Sequence, residues 1–420
     1  MPYQAPRGTH DILPSEIYRW QAAEQAFLRL VTQYGYREIR TPIFEDTELF
    51  VRTSGDTSEV VTKQMYSFKD KGDRDLTLKP EGTAPVMRAY LEHRLAGDGQ
   101  PVRLCYVATP VFRYERPQKG RYRQHHQLGC ELIGVASPEA DAEIIEIAVR
   151  TYQALGIGSL QVKLNSIGRA ATREAYREAL LAHAQPVLKD MDPEDRARAE
   201  RNPLRMLDSK DPVMIEALQK APKVLDYLEP ESKSTFDSLC SILAEAEIPF
   251  VISPEIVRGL DYYTDTVFEV HSTALGAQTA LCGGGRYDGL LKALGGPPTP
   301  SVGFGMGLER ALLVQESQGA LPTEPQVAAF LIAADEAGRA RLRSLAAELR
   351  TTGLAATYDM DGRSLKAQIK LADRIGAQYA VILGETEIAE QTATVKELLS
   401  GNQTVIPQSQ LAQYLAKEDS

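Results

Sequence analysis

Cysteine is scarce in this chain: four among 420 residues. Cys105, Cys130, Cys240 and Cys282 are scattered and form no C-x-x-C pair. That spacing argues against a disulfide framework and a cysteine zinc site, and free thiols in a reducing cytoplasm are expected. Histidine is also sparse, at six residues, with none at zinc-site spacing. His125 and His126 are neighbours, so on a strand they would face opposite ways. No run reaches the roughly 18 apolar residues of a membrane span. The N-terminal stretch MPYQAPRGTHDILPSE has no apolar signal core. Two glycine-rich segments, 283–289 and 301–307, lack the G-x-G-x-x-G spacing of a dinucleotide loop, and neither is a Walker A loop. Positive charge is in deficit, with 47 Lys and Arg against 57 Asp and Glu, a net charge of −10. This speaks against nucleic acid coating the whole surface and leaves room for a local basic site. There are no internal repeats and no low-complexity tracts. What remains is a soluble globular chain, long enough for two or three domains.

The densest information lies in residues 112–134, FRYERPQKGRYRQHHQLGCELIG. Two extended arms with alternating polar residues flank a basic loop. Arg113 and Glu115 are two apart, as are Gln127, Gly129 and Glu131, so each set shares a strand face. Arg116, Lys119, Arg121 and Arg123 crowd the loop, where Pro117 and Gly120 break regular structure. Arg, Glu and Gln on a half-buried face are costly unless paired. A cationic loop beside such a face suits a polyphosphate and a nucleic-acid end. The competing reading is an ordinary solvated hairpin, with Glu131 merely pairing to a neighbouring Arg across the sheet.

Around this segment the pattern predicts a helix over 15–34, an extended stretch over 36–44 broken by Pro42, and a strand over 76–79. A helix over 84–94 follows, then the two arms at 102–114 and 124–134, a helix over 141–155 and a strand over 160–164. From about 169 to 248 strand signals vanish, and Pro203, Pro212, Pro222 and Pro230 separate short helices, which reads as a helical insertion. Strands return at 254–270, 280–282 and 301–306, and a helix opens at Gly307-Leu308-Glu309-Arg310. Residues 318–325 form a polar linker with two prolines. Beyond it, 327–333 is a continuous apolar run, as in a parallel strand buried on both faces. A helix over 340–349, a strand over 355–358, a helix over 364–375 and a strand over 379–383 complete an α/β domain at 326–420. In the 364–375 helix Leu365, Ile369, Ala372 and Ile375 are expected inward, with Ser364 as N-cap.

Four short motifs carry candidate chemistry. Pro80-Glu81-Gly82-Thr83 is either a turn with Thr83 as N-cap, or a carboxylate and hydroxyl set for an ammonium group. Arg258-Gly259-Leu260-Asp261-Tyr262-Tyr263 is either an ion pair among core tyrosines or a pocket with specific hydrogen-bonding handles. Gly283-Gly284-Gly285-Arg286-Tyr287-Asp288 and the segment 301–307 are either turns with close backbone packing or room left for a ligand. Arg310 sits in the first turn of its helix, where an anion is favoured.

With these residues in view, the whole chain resembles the histidyl-tRNA synthetase family of class II aminoacyl-tRNA synthetases. Arg40-Thr41-Pro42 looks like the first class II motif, residues 112–131 like the second and 303–310 like the third. The 258–263 and 283–288 segments are similar to stretches specific to the histidine enzymes, as are Leu207-Asp208-Ser209-Lys210 and Gly362-Arg363-Ser364-Leu365-Lys366. One departure is His125, where the family often has Phe beside adenine. The resemblance implies an α+β fold: a class II antiparallel-sheet catalytic core over 1–317 with the insertion at about 169–248, the 318–325 linker, and an α/β anticodon-binding domain over 326–420. It implies that L-histidine is activated with ATP and Mg²⁺ and transferred to tRNA-His, by a cytoplasmic homodimer that binds no membrane and holds no protein-ligated metal. Arg258 and Arg113 would be catalytic. Glu81, Gly82, Thr83, Gln127, Glu131, Arg258, Tyr262 and Tyr263 would bind histidine. Arg113, Glu115, Arg121 and Arg310 would bind ATP. The alternative is a synthetase-like regulatory subunit of ATP phosphoribosyltransferase, a group that typically lacks the anticodon domain.

Overall fold

The computed structural model describes residues 3–55, 58, 60–201, 203–209, 211–256, 262–272 and 279–416. The chain divides into two compact units, Met1–Pro322 and Thr323–Ser420.

The first unit is built on an eight-stranded sheet. Its spatial order is Arg37–Glu38, Val102–Phe112, Gln124–Ile133, Ser301–Gly307, Thr279–Arg286, Thr264–Ser272, Leu160–Ser166 and Phe250–Ile252. The interior pairs are antiparallel, and only the two edge strands pair in parallel. One face is apolar: Cys105, Leu128, Cys130, Phe268, Phe304 and Met306 pack under helices Ile17–Gln33, Pro138–Ala154 and Leu308–Ser317. The first of these helices buries Trp20, Ala23, Phe27 and Val31, an i, i+3, i+7, i+11 stripe. Each large side chain so buried contributes about 1.5–3 kcal/mol.

The opposite face carries the alternate residues of the same strands. Tyr106 pairs with Gly129, Gly129 with Gly305, and Glu131 with Gly303, so these stand in adjacent rows. The register between Tyr106 and Thr109 slips at a bulge, with Ala108 at φ 44°. A three-stranded sheet, ordered Phe44–Asp46, Asp75–Leu78, Tyr66–Lys69, leads into Pro80 and the helix Thr83–Glu92.

Some elements differ from the sequence reading. The strand expected from 254 begins at Thr264; residues 257–261 lie outside the described ones. The triple glycine lies inside the strand Thr279–Arg286 and forms no turn. A Cβ on Gly284 would stand 2.7 Å from Phe268 Cε1 and closer still to the Gly303 carbonyl, so its bareness lets neighbouring strands and rings close up. Within 169–248, Tyr176, Leu180, Leu188, Met206 and Met214 form a small core of their own. The helix Pro230–Glu245 instead sends Phe236, Leu239 and Leu243 into the main core.

The second unit is a five-stranded sheet ordered Ala356–Tyr358, Ala329–Ala333, Tyr379–Leu383, Thr392–Glu397, Gln403–Pro407. The first three strands are parallel and the last two add antiparallel. Ala329–Ala333 is buried throughout. The helix Leu365–Arg374 departs from expectation. Leu365 and Ile375 are exposed, and Gln368 takes an inward place because its amide bonds both backbone groups of Ala333 and the carbonyl of Arg363. Ser364 is at the N-cap position but makes no capping hydrogen bond with its side chain.

Candidate active site

The site is assembled on the polar face of the large sheet. Glu131 has no exposed surface. Its two oxygens accept from separate hydroxyls: Thr83 Oγ1 donates to Oε1 at 2.8 Å, and Tyr287 donates a short hydrogen bond to Oε2. No Arg pairs with it among the described residues; its partners there are hydroxyls. Burial pushes its pKa up to about 8, and the hydrogen bonds from Tyr287 and Thr83 hold it from rising further.

Glu81 caps the helix Thr83–Glu92. Its carboxylate accepts from Thr83 N at 2.6 Å and Ala84 N at 2.8 Å, so the orphan amides of that first turn are satisfied. This corrects the reading of Thr83 as N-cap: Thr83 is the first helical residue, and its hydroxyl is turned to Glu131. Burial raises the Glu81 pKa, opposed by the Ala84 and Thr83 amides and by Arg113. Gly82 N donates to Gln127 Oε1 at 3.1 Å, which fastens this turn to the sheet.

Tyrosines wall the pocket. Tyr262 lies 4.7 Å from Tyr263 and 5.6 Å from Tyr287, ring centre to ring centre. Burial, then the neighbouring Tyr263, Glu81 and Glu131, keeps Tyr262 protonated. Tyr106 lies over Gly129, where any Cβ would overlap its ring.

At the other end of the 124–133 strand the side chains are cationic. Arg113 Nε donates to Pro80 O at 2.8 Å, and neither Nη donates to a described residue. Arg310 Nη1 donates to Ala280 O at 2.6 Å. Burial and then the positive charge of Arg121 lower the Arg310 pKa. Arg121 stands 3.6 Å from Glu115. His125 is held neutral, its pKa pulled down to about 3 by burial and then by Arg113 and His126, with Arg310 adding to this. Arg113, Arg121 and Arg310 outnumber Glu115 and Glu269, the carboxylates that act on Arg310, and a polyphosphate would balance that charge. Glu131 and His125 are six steps apart along the strand, roughly 20 Å at about 3.3 Å per step, a span comparable to an amino acid and a nucleotide end to end.

Among the predicted residues, Glu81, Gly82, Thr83, Gln127, Glu131, Tyr262 and Tyr263 gather at one end. Arg113 reaches toward them from the cationic end, where Glu115, Arg121 and Arg310 lie. Arg258, with Gly259, Leu260 and Asp261, falls outside the described residues, as does Lys210. Two residues had not been singled out for the pocket. Tyr106 sits in the apolar run 104–107 with nothing to mark it, and Tyr287 belongs to the 283–288 motif, which was read for its glycines; Arg286 stands in the same motif. That Arg is structural: it pairs with buried Asp141 and donates to the carbonyls of Val135 and Ser137. Among the described residues no group of three or more His, Cys, Asp or Glu is placed to hold a metal ion, and no helix is long and apolar enough to cross a membrane.

Residues 8–311 match the family model of histidyl-tRNA synthetase, and residues 326–418 match that of an anticodon-binding domain. The chain belongs to the histidyl-tRNA synthetase family. It is 48% identical to a histidine–tRNA ligase of Geobacillus thermodenitrificans, over 99% of this chain and 98% of that one. It is 47% identical to a histidine–tRNA ligase of Thermosynechococcus vestitus, over 98% and 96%. The crystal structure of apo histidyl-tRNA synthetase from S. aureus superimposes with a TM-score of 0.82 at 38% identity, covering 99% of this chain and all of that one.

A pH effect on stability follows from Glu131. Its folded pKa lies above the ordinary 4.5, so the neutral acid is favoured by folding. That contribution is full below about pH 4.5 and is lost as pH rises toward 8. Glu131→Gln keeps the shape without the charge. The melting temperature of this variant relative to the parent is expected to climb between pH 5 and 8.5, measured without ligands. A pH-independent difference would show that Glu131 keeps an ordinary pKa.

Proposed function

We propose that the Glu81–Glu131 end of the cleft binds histidine and the Arg113–Arg310 end binds ATP. The activity is ligation of histidine to tRNA, driven by ATP. In the first step a histidine carboxylate oxygen attacks the α-phosphorus, and the bond to pyrophosphate breaks. In the second, a hydroxyl of the terminal tRNA ribose attacks the histidyl carbon and AMP leaves. Neither step needs a covalent protein nucleophile, so the protein's part is placement and charge stabilisation.

Glu81, Thr83 and Gln127 hold the α-ammonium group. Glu131 and Tyr263 engage the two imidazole nitrogens, and Tyr262 lines the pocket. Arg113 and Arg258 bind the α-phosphate, and Arg258 has the main catalytic role. Arg121 and Arg310 take the outer phosphates of ATP, which enters as its Mg²⁺ complex. Glu115 and His125 lie by adenine. The observation that carries this reading is the change along one strand from buried carboxyl and hydroxyl groups around Glu131 to the cationic Arg113 cluster at the other end.

The working form is a homodimer. Supporting this, Ile43, Phe44 and Phe68 are 46%, 47% and 44% exposed beside the Arg40-Thr41-Pro42 segment. The place of work is the cytoplasm: Cys105 and Cys130 are paired neighbours on adjacent strands yet both are free thiols, which fits a reducing compartment. The regulatory reading finds no support, since the anticodon-binding match extends to residue 418 and the curated ligases align end to end.

Residues 326–420 recognise the anticodon end of tRNA-His, joined through 318–325 to a catalytic part that contains the insertion. The full chain is expected to charge total tRNA with histidine alone among the amino acids. A chain ending at Pro322 should retain some histidine-dependent ATP–pyrophosphate exchange and charge tRNA poorly. Equal charging by the shortened chain would remove the anticodon assignment. Charging with another amino acid would remove the pocket assignment.

A further inference from the structure

Lys79 has no exposed surface, yet among the described residues no carboxylate lies within hydrogen-bonding distance of it. Its Nζ donates to Thr109 Oγ1 at 2.6 Å, Thr41 Oγ1 at 3.3 Å and Thr41 O at 3.4 Å. An ammonium group has three protons, and here three oxygens take them. Burial pulls its pKa down to about 8, with Glu45 and Glu81 acting the other way from further off. Enclosing a charge among neutral oxygens is costly, and an apolar side chain of similar length would fill the space at less cost. Stability alone therefore does not account for a lysine here.

What the lysine does is join three stretches of chain. Its main chain bridges two of them: Lys79 N donates to Ile43 O, and Phe112 N to Lys79 O, each at 2.9 Å. Its ammonium group reaches back to Thr41 and across to Thr109. Thr109 follows the strand bulge and pairs with Gln127, the residue that holds Gly82. The next residue, Pro80, accepts from Arg113, and the one after is Glu81.

We propose that Lys79 is a positioning residue for histidine activation: its ammonium group clamps the 41–43 segment to Thr109 and so fixes the Pro80–Thr83 turn between Gln127 and Arg113. The proposal rests on that turn being the site of the histidine ammonium group. Lys79 touches no substrate. It acts through Glu81 and Gln127, and the segment it grips leads to the apolar surface at Ile43 and Phe44.

The test uses full-length Lys79→Met, with pyrophosphate exchange measured against histidine and ATP in turn. The kcat/KM for histidine is expected to fall about tenfold, the worth of a lost hydrogen bond to a charged group. The ATP KM should stay within about twofold. Lys79→Arg should recover most of the loss. Thr109→Val should weaken histidine use in the same direction, and the double variant should be no worse than Lys79→Met alone. That single change also serves if Lys79→Met does not fold. Unchanged histidine kinetics with only a shifted melting temperature, or equal losses for both substrates, would overturn the proposal. Glu81→Gln, run alongside, separates the layers. If it leaves histidine use intact, the pocket reading itself falls. If it impairs histidine use while Lys79→Met does not, only the role of Lys79 falls.

Discussion

Arg113→Ala should leave a folded protein whose histidine-dependent adenylate formation is slower by about 10²–10³, the loss seen when one preorganised donor to developing charge is removed. Arg113 is held by Pro80 through Nε alone, so its Nη atoms are aimed without being consumed. It also bears on both ends of the cleft: its charge helps Glu81 ionise and helps keep His125 neutral. A permanent cation in that place can grip the α-phosphate while the histidine carboxylate approaches. Rapid-quench single turnovers with saturating substrates measure the effect, with a melting curve as control for folding. A rate within about threefold of the parent would sink the assignment. The same experiment on Arg258→Ala ranks the two, and the larger loss is expected there. Arg258 is a permanent cation beside Gly259 and two tyrosines, in a segment similar to one specific to the histidine enzymes.

The second large effect is expected at Glu131. Glu131→Ala strips the partner from Thr83 and Tyr287 at once, leaving two buried hydroxyls unsatisfied at about 1–3 kcal/mol each. On the proposed reading it also removes the group that engages an imidazole nitrogen. Sites that recognise a substrate by buried hydrogen bonds lose about 10⁴–10⁵ in discrimination when those bonds cannot form. The histidine KM should rise steeply and kcat/KM should collapse, while binding of a non-hydrolysable ATP analogue changes little. Calorimetric titration of each ligand decides the matter: equal weakening of both, with a lowered melting temperature, would mean that Glu131 is a structural strut. Burial pushes its pKa up to about 8, which favours the protonated carboxyl group near neutrality in the free protein. The carboxyl group can then donate to an unprotonated imidazole nitrogen as well as accept from a ring N–H.

The part of this site that can be read from sequence is the part written along one strand. Gln127, Gly129 and Glu131 alternate, and alternation fixes a shared face whatever the partners are. The C-terminal strand Ala329–Ala333 is legible for a related reason, since burial on both faces leaves an unbroken apolar run. What cannot be read depends on which distant segments meet. Tyr287 reaches Glu131 from 156 positions away, because the strand that ends just before it and the strand of Glu131 both pair with 301–307. Lys79 reads as an exposed charge because its three acceptors come from segments about 30 and 38 residues off. Gln368 misleads in the opposite sense, taking an inward place that hydropathy would give to Leu365. For Arg258 the residue types leave an ion pair and a pocket both open, and only the resemblance assigns it a catalytic role.

The bare floor of the cleft sets a limit on how this protein can change over generations. At Gly303 the position of a methyl group is already occupied by the Glu131 carboxylate, with the Tyr287 hydroxyl 2.6 Å away; at Gly129 it is occupied by the ring of Tyr106. Every amino acid other than glycine carries a Cβ, so no missense change at either codon is conservative, and there is no gradual route across these positions. Drift toward another amino-acid substrate is channelled into the walls, where Tyr106, Tyr262 and Tyr287 can shrink or lose a hydroxyl in single steps. The pocket can be widened residue by residue from its sides while its depth stays fixed.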